Sequence, residues 1–260
     1  MAAVASAAAS SALHRFLEDL RAFLAGDVGE QTDPVVTLVE ERVGDALKDD
    51  SFVLACLEAA LTGPRPVRGL IHRDPDDLFT VNLFYWSPGL DTPPHEHRNW
   101  TVTGVVMNSI EVRTFTARDG RLVEERTFRS RPRQVGSVRP PCIHRVRNFS
   151  RRNSITLHVF GRSSELPDTI WYRGEDIDEA SQTPQGRSPE QPMLLRIEAT
   201  VAAAEGIGGP AAVEFLQRLL PRMGALGRPV IIAALERLGA KVEPELSAPS
   251  DPSGRAGSAP

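Results

Sequence analysis

The sequence predicts a mainly β barrel with N-terminal and C-terminal helical flanks, and three observations carry that reading. Over residues 65–190, short β-branched and aromatic runs are broken by turn residues, as in an all-β barrel or sandwich. On either side of that stretch, apolar residues recur at three- and four-residue spacing, the period of a helix with one buried face. Within the β-rich part, His95 and His97 are separated by one residue, a spacing that puts both side chains on one face only in an extended chain.

The elements follow in order. The Ala/Ser-rich residues 1–10 are expected to be a disordered tail; they lack the basic start and apolar core of a signal peptide. Residues 11–64 carry the N-terminal helices. Leu13, Phe16, Leu17, Leu20, Phe23 and Leu24 make one stripe, Val36, Leu38, Val39, Val43 and Leu47 a second, and Phe52, Val53, Cys56, Leu57 and Leu61 a third. Thr62-Gly63-Pro64 stops the last of them. Strands are expected over 79–86, 100–107, 110–117, 122–128, 134–138 and 154–160, with hairpin turns at Asp74-Pro75-Asp76-Asp77 and Arg118-Asp119-Gly120. Residues 162–190 read as polar and irregular, 191–240 as C-terminal helices, and 241–260, rich in Pro, Ser, Gly and Ala, as a disordered tail.

Composition narrows the function. A net charge of -4 argues against a nucleic-acid partner. No apolar run approaches the roughly 20 residues that span a bilayer, so no membrane partner is expected. Two cysteines, Cys56 and Cys142, make no disulfide framework in a chain of this length, which points to a reducing, cytoplasmic setting.

The histidines carry the chemistry. His95 and His97 follow a Gly/Pro-rich turn in Gly89-Leu-Asp-Thr-Pro-Pro-His95-Glu-His97. On a strand they stand about 6.6 Å apart at the ~3.3 Å rise, close enough to lean onto one ion, while Glu96 points away. His144 lies in Pro141-Cys-Ile-His144-Arg-Val-Arg-Asn148, where a distant strand of an antiparallel barrel can join the pair. Three neutral imidazoles leave a divalent ion its full charge and several open positions. Such a site suits Fe(II) or a water-activating zinc, and ligand type alone leaves both open.

These two segments resemble the cupin superfamily. Its first motif has Gly, five residues and His-X-His, as Gly89, His95 and His97 do, and its second ends in His, three residues and Asn, as His144 and Asn148 do. The resemblance implies a double-stranded β-helix. The glutamate ligand that many cupins place four or five residues after the second His is replaced here by Thr101 or Val102, and the motif's closing Gly by Asn108, a residue that tolerates left-handed backbone.

A narrower likeness covers residues 79–161. The stretch His144-Arg-Val-Arg-Asn148-Phe-Ser, then Ser154-Ile-Thr-Leu-His158-Val-Phe160-Gly161, together with Trp86-Ser-Pro-Gly89 and Thr92-Pro-Pro-His95-Glu-His97-Arg-Asn-Trp100, resembles bacterial thiol dioxygenases of the cysteine dioxygenase type. That resemblance implies Fe(II) held by His95, His97 and His144, with a small thiol and O2 as partners. His158 and Thr156 match the His and Ser of the family's outer-sphere triad. Phe160 stands where the triad has tyrosine, and Val102 where animal enzymes have the cysteine that crosslinks to it, so no thioether cofactor forms. Phe84 and Phe160 are expected to line the substrate, with Tyr85 on the opposite strand face. Arg68, whose parity matches Leu70 and His72, is the first choice for a substrate carboxylate; Arg73, Arg98, Arg162 and Arg173 are the others. On the residues alone, a metal-dependent cupin acting on a non-thiol substrate and a non-catalytic ligand-binding cupin stay open.

Overall fold

The computed structural model describes residues 2–26, 33–63, 69–162, 169–172, 182–183 and 192–241. Three helices lead in: α1 (Ala2–Ala25), α2 (Asp33–Ala46) and α3 (Asp50–Thr62). The α1 helix takes in residues 2–10, which the sequence reading set down as a tail; alanine has the highest helix propensity, and an Ala-rich start extends a helix already fixed by its stripe. Asp49 caps α3, its carboxylate accepting from the Ser51 N–H at 2.9 Å. Residues 242–260, expected as a tail, lie outside the described residues.

Eleven strands follow among the described residues: β1 (Leu70–Arg73), β2 (Phe79–Trp86), β3 (His95–His97), β4 (Thr101–Met107), β5 (Ile110–Arg118), β6 (Arg121–Ser130), β7 (Val135–Val138), β8 (Ile143–Arg147), β9 (Ser154–Gly161), β10 (Thr169–Tyr172) and β11 (Gln182–Thr183). The chain ends in α4 (Met193–Ile207), α5 (Gly209–Leu219) and α6 (Arg228–Arg237). The expected turns form: Asp77 is left-handed at φ 54°, and Asp119 and Gly120, at φ 49° and 76°, give the paired positive φ of a two-residue hairpin. Asn108 sits at φ 59°, a left-handed backbone that Asn tolerates. One expectation fails. β10 and β11 lie in the stretch read as irregular, because strands this short, among polar residues, carry too little alternation to be seen.

The strands form two antiparallel sheets, ordered β1-β2-β9-β4-β7 and β11-β10-β3-β8-β5-β6. This is a double-stranded β-helix with helical flanks. The outer face of the first sheet, through Phe79, Val81, Leu83, Tyr85, Val102, Ile155, Leu157 and Val159, packs with all six helices into one core. Each such side chain contributes about 1.5–3 kcal/mol on burial. Gly104 lets the helices come close, since a Cβ there would meet Leu47 Cδ1 at 2.4 Å. The C-terminal helices, which the family likeness left unexplained, are bolted to this face. Buried Arg196 of α4 donates to the Ala60 carbonyl at 2.9 Å and stacks its guanidinium 4.9 Å from the Tyr85 ring centroid, while the Tyr85 hydroxyl pairs with Thr200 at 3.0 Å. No helix of the described residues is long and apolar enough to cross a membrane.

Candidate metal centre

The second sheet positions the three histidines. Its neighbouring strands β10, β3 and β8 align Trp171 with His95 and His95 with His144, and Thr169 with His97. The two-residue period turns His95 and His97 inward and Glu96 outward, where it accepts from the Tyr172 hydroxyl at 2.8 Å. A ring nitrogen from each of His95, His97 and His144 lies within 4.8 Å of the other two, and the ring centroids are 4.3–5.2 Å apart.

The hydrogen bonds say which nitrogen faces which way. His95 Nδ1 lies 2.9 Å from the Pro93 carbonyl and His144 Nδ1 3.2 Å from the Cys142 carbonyl. A carbonyl only accepts, so both rings carry their proton on Nδ1 and keep the Nε2 lone pair free. His97 Nδ1 meets the Thr169 hydroxyl at 3.1 Å, consistent with the same tautomer. Burial pushes all three down, His144 to about 4 and His95 and His97 well below the usual imidazole value, so at neutral pH the rings are uncharged donors. The donor set fits a divalent ion of borderline softness, and no carboxylate joins it among the described residues.

The histidines form one wall of a cavity of about 340 Å³ between the sheets. Phe84, Trp86, Thr101, Thr103, His158 and Phe160 of the first sheet form the facing wall. His158 is held at both ring nitrogens: Nε2 lies 2.7 Å from Thr156 Oγ1 and Nδ1 3.1 Å from Thr103 Oγ1. Thr156 also accepts from the Trp86 indole N–H at 2.7 Å. Burial pushes the His158 imidazole down to about 3, so it is neutral. Thr156 itself is fully buried and does not line the cavity. The Phe160 ring stands between the two histidine groups, 5.7 Å from His158 at 15° and 5.5 Å from His97 at 79°. Phe84 packs 4.5 Å from His158.

Arg73, Arg98 and Arg162, the candidate arginines among the described residues, do not line this cavity. No charged side chain lines it among the described residues. Arg98 and Arg162 are exposed, and Arg73 pairs with Asp77 at 2.7 Å. Arg68, the first choice, and Arg173 lie outside the described residues.

One register expectation is corrected. Thr101, not Val102, stands opposite Phe160, and Thr103 opposite His158; Val102 faces the helices. The two-residue count from His95 and His97 carries through Arg98–Trp100 to Thr101 and Thr103, which line the cavity with them, so a position set at Val102 falls on the outward face. Neither residue can form a thioether, so that conclusion is unchanged. Sequence reasoning also missed Thr169 and Trp171, whose ring stacks on His95 at 4.4 Å and 28°. The run Thr-Ile-Trp-Tyr, β-branched and aromatic, was the available signal.

No protein-family model matches the chain. Among solved structures it is similar to an uncharacterised conserved protein with a double-stranded β-helix domain from Klebsiella pneumoniae (14% identity, 37% of this chain and 76% of that one, TM-score 0.31). It is also similar to KdgF from Halomonas sp. (15% identity, 38% and 79%, TM-score 0.32), and to oxalate decarboxylase from Lactobacillus farciminis (20% identity, 36% and 27%, TM-score 0.32). At this level the likeness is confined to part of the chain and says nothing of activity.

Proposed function

We propose that the protein is a mononuclear non-haem iron enzyme that oxidises a small thiol to a sulfinic acid with O2. The observation that carries this reading is the neutral donor set: three uncharged imidazoles facing a cavity with no charged residue among its described lining. Three neutral ligands leave an ion at +2, so the compensating anion has to arrive with the substrate, and a thiolate is both anionic and a soft donor. His95, His97 and His144 would hold the ion. Bound there, Fe(II) supplies the redox chemistry that adds both atoms of O2 to sulfur, RSH + O2 → RSO2H.

The chain's own residues do the positioning. The carbonyls of Pro93 and Cys142 fix two ligand rings, and Thr169 pairs with the third. Thr156 and His158 form a bonded pair across the cavity, the arrangement that the thiol dioxygenase resemblance leads one to expect there. Phe84 and Phe160 give the wall facing the histidines an apolar surface. The setting is a reducing one, the cytoplasm, where thiol and Fe(II) persist; both cysteines are free, which agrees with it.

Oxygen uptake by the anaerobically Fe(II)-loaded full chain against a thiol panel, with mass spectrometry of the product, tests the reading. One O2 consumed per thiol and a mass gain of two oxygens is the expected result. No uptake with any thiol overturns it and leaves a non-thiol enzyme or a ligand-binding protein.

A further inference from the structure

The cavity wall facing the metal site carries two hydroxyls whose hydrogen-bonding capacity is not used up. Thr101 is 2% exposed, lines the cavity, and its Oγ1 has no partner. Thr103, two residues along β4 and therefore on the same face, is engaged only through its oxygen. The direction of that bond follows from a chain of forced choices. The Trp86 indole N–H can only donate, so Thr156 Oγ1 accepts from it. The single Thr156 hydrogen then has one described partner left, His158 Nε2 at 2.7 Å. With Nε2 accepting, neutral His158 carries its proton on Nδ1 and donates it to Thr103 Oγ1 at 3.1 Å. The Thr103 hydrogen is left over, beside an orphaned buried hydroxyl, in a cavity where Phe160 offers no polar atom. A buried polar group without a partner costs about 1–3 kcal/mol, so a ligand that satisfies both hydroxyls gains over one that does not.

We infer that Thr101 and Thr103 form a specificity-determining donor pair for a neutral oxygen on the substrate, so that the substrate is an uncharged thiol bearing a carbonyl or hydroxyl group, not a thiol acid. This rests on the thiol reading of the site. A carboxylate in the same place would be removed from water beside two neutral hydroxyls, with no cation among the described lining residues and only the charge that the thiolate leaves on the ion across the cavity to offset it, which is unfavourable against a neutral oxygen. A neutral carbonyl oxygen accepts from two hydroxyls and leaves no charge buried. The bond relay from Trp86 through Thr156 and His158 acts on the substrate only through Thr103, which makes those three positioning residues.

The test is calorimetric binding to the anaerobic, Zn(II)-loaded full chain, which binds without turning over. The probes are methyl 3-mercaptopropionate, 3-mercaptopropionate, 1-butanethiol and the sulfur-free methyl butyrate. The ester is expected to bind about tenfold more tightly than butanethiol, the order of one net hydrogen bond, and more tightly than the acid. Thr103→Val and Thr101→Val should each shrink the ester-to-butanethiol ratio several-fold, and Thr103→Ser, which keeps the hydroxyl, should retain it. Acid binding as tight as the ester, or a ratio unmoved in both Val variants, overturns the donor pair. The two readings fail separately. If the ratio of methyl butyrate to butanethiol depends on the threonines while none of the three thiols outbinds methyl butyrate, the donor pair stands and the thiol reading falls. If the thiols outbind methyl butyrate and the threonines do not matter, the reverse holds.

Discussion

The two sheets of the barrel face each other across one cavity, but one is backed by helices and the other by water. Along β9 every residue of Ser154–Val159 is buried on both faces, Ile155, Leu157 and Val159 against the helices and Thr156 and His158 toward the cavity. Along β6 most side chains are exposed, and its Arg129 reaches Glu111 of β5 at 3.0 Å, a carboxylate that Arg113 of β5 also holds at 2.8 Å. The helix-backed sheet holds the polar relay through His158, and the solvent-backed sheet holds the three histidines that could take a metal. Stability and metal binding should therefore be separable by sheet.

The largest effect expected is at the ligands themselves. His144→Ala should reduce metal from about one ion per chain to near none after dialysis, while far-UV circular dichroism stays close to wild type, because the core lies under the other sheet. Metal retained at full stoichiometry would break the assignment, and unfolding of the wild type by a chelator alone would make the ion structural. On the opposite sheet, Leu157→Ala removes a fully buried side chain facing the helices. It should cost about 2–5 kcal/mol in urea unfolding and leave metal stoichiometry unchanged.

A smaller effect sharpens the comparison within the ligand sheet. His95 and His144 lean on backbone carbonyls that no substitution removes, whereas His97 leans on the Thr169 hydroxyl at 3.1 Å. Thr169→Val should weaken metal affinity about 10- to 100-fold, the usual cost of losing such a support, with little change in the unfolding midpoint. Competition titration against a chromophoric chelator reads it. An unchanged affinity would mean that packing against β10, not the hydrogen bond, fixes the His97 ring.

The ligand sheet was legible in the sequence because metal chemistry is local. His95 and His97 announce an extended chain by their spacing alone, and the Gly89 and Asn148 offsets resemble the paired motifs that suggested His144 as their partner. The helix-backed face was legible through its apolar alternation, and Tyr85 falls on the face opposite Phe84, where parity put it. What was not legible depends on long-range register. Thr103 meets His158 only because β4 pairs with β9, and no local spacing carries a pairing between strands so far apart in sequence. Trp171 reaches His95 only because β10 adds to the edge of β3. A four-residue strand carries no periodicity from which that partnership could be read.

The smallest change tests how the two sheets meet across the cavity. Phe160 belongs to the helix-backed sheet, yet its ring stands edge-on to the ligand His97, so it touches both halves of the site. Phe160→Tyr adds one oxygen to a half-buried ring, and the unfolding free energy should move by less than about 1 kcal/mol, within the range of one net hydrogen bond. The new phenol is a donor in a wall whose described hydroxyls are those of Thr101, Thr103 and Ser137. If the wall faces the substrate, the variant should narrow the preference for neutral thiols over cysteine, up to about tenfold in the ratio of kcat/KM values, since one added hydrogen bond is worth about that factor. Iron content should stay at the wild-type value, because none of the three ligands or their Nδ1 partners is altered. An unchanged preference together with unchanged iron would show that the ring fills space between the sheets without meeting the substrate. Specificity would then reside in Thr101 and Thr103 alone.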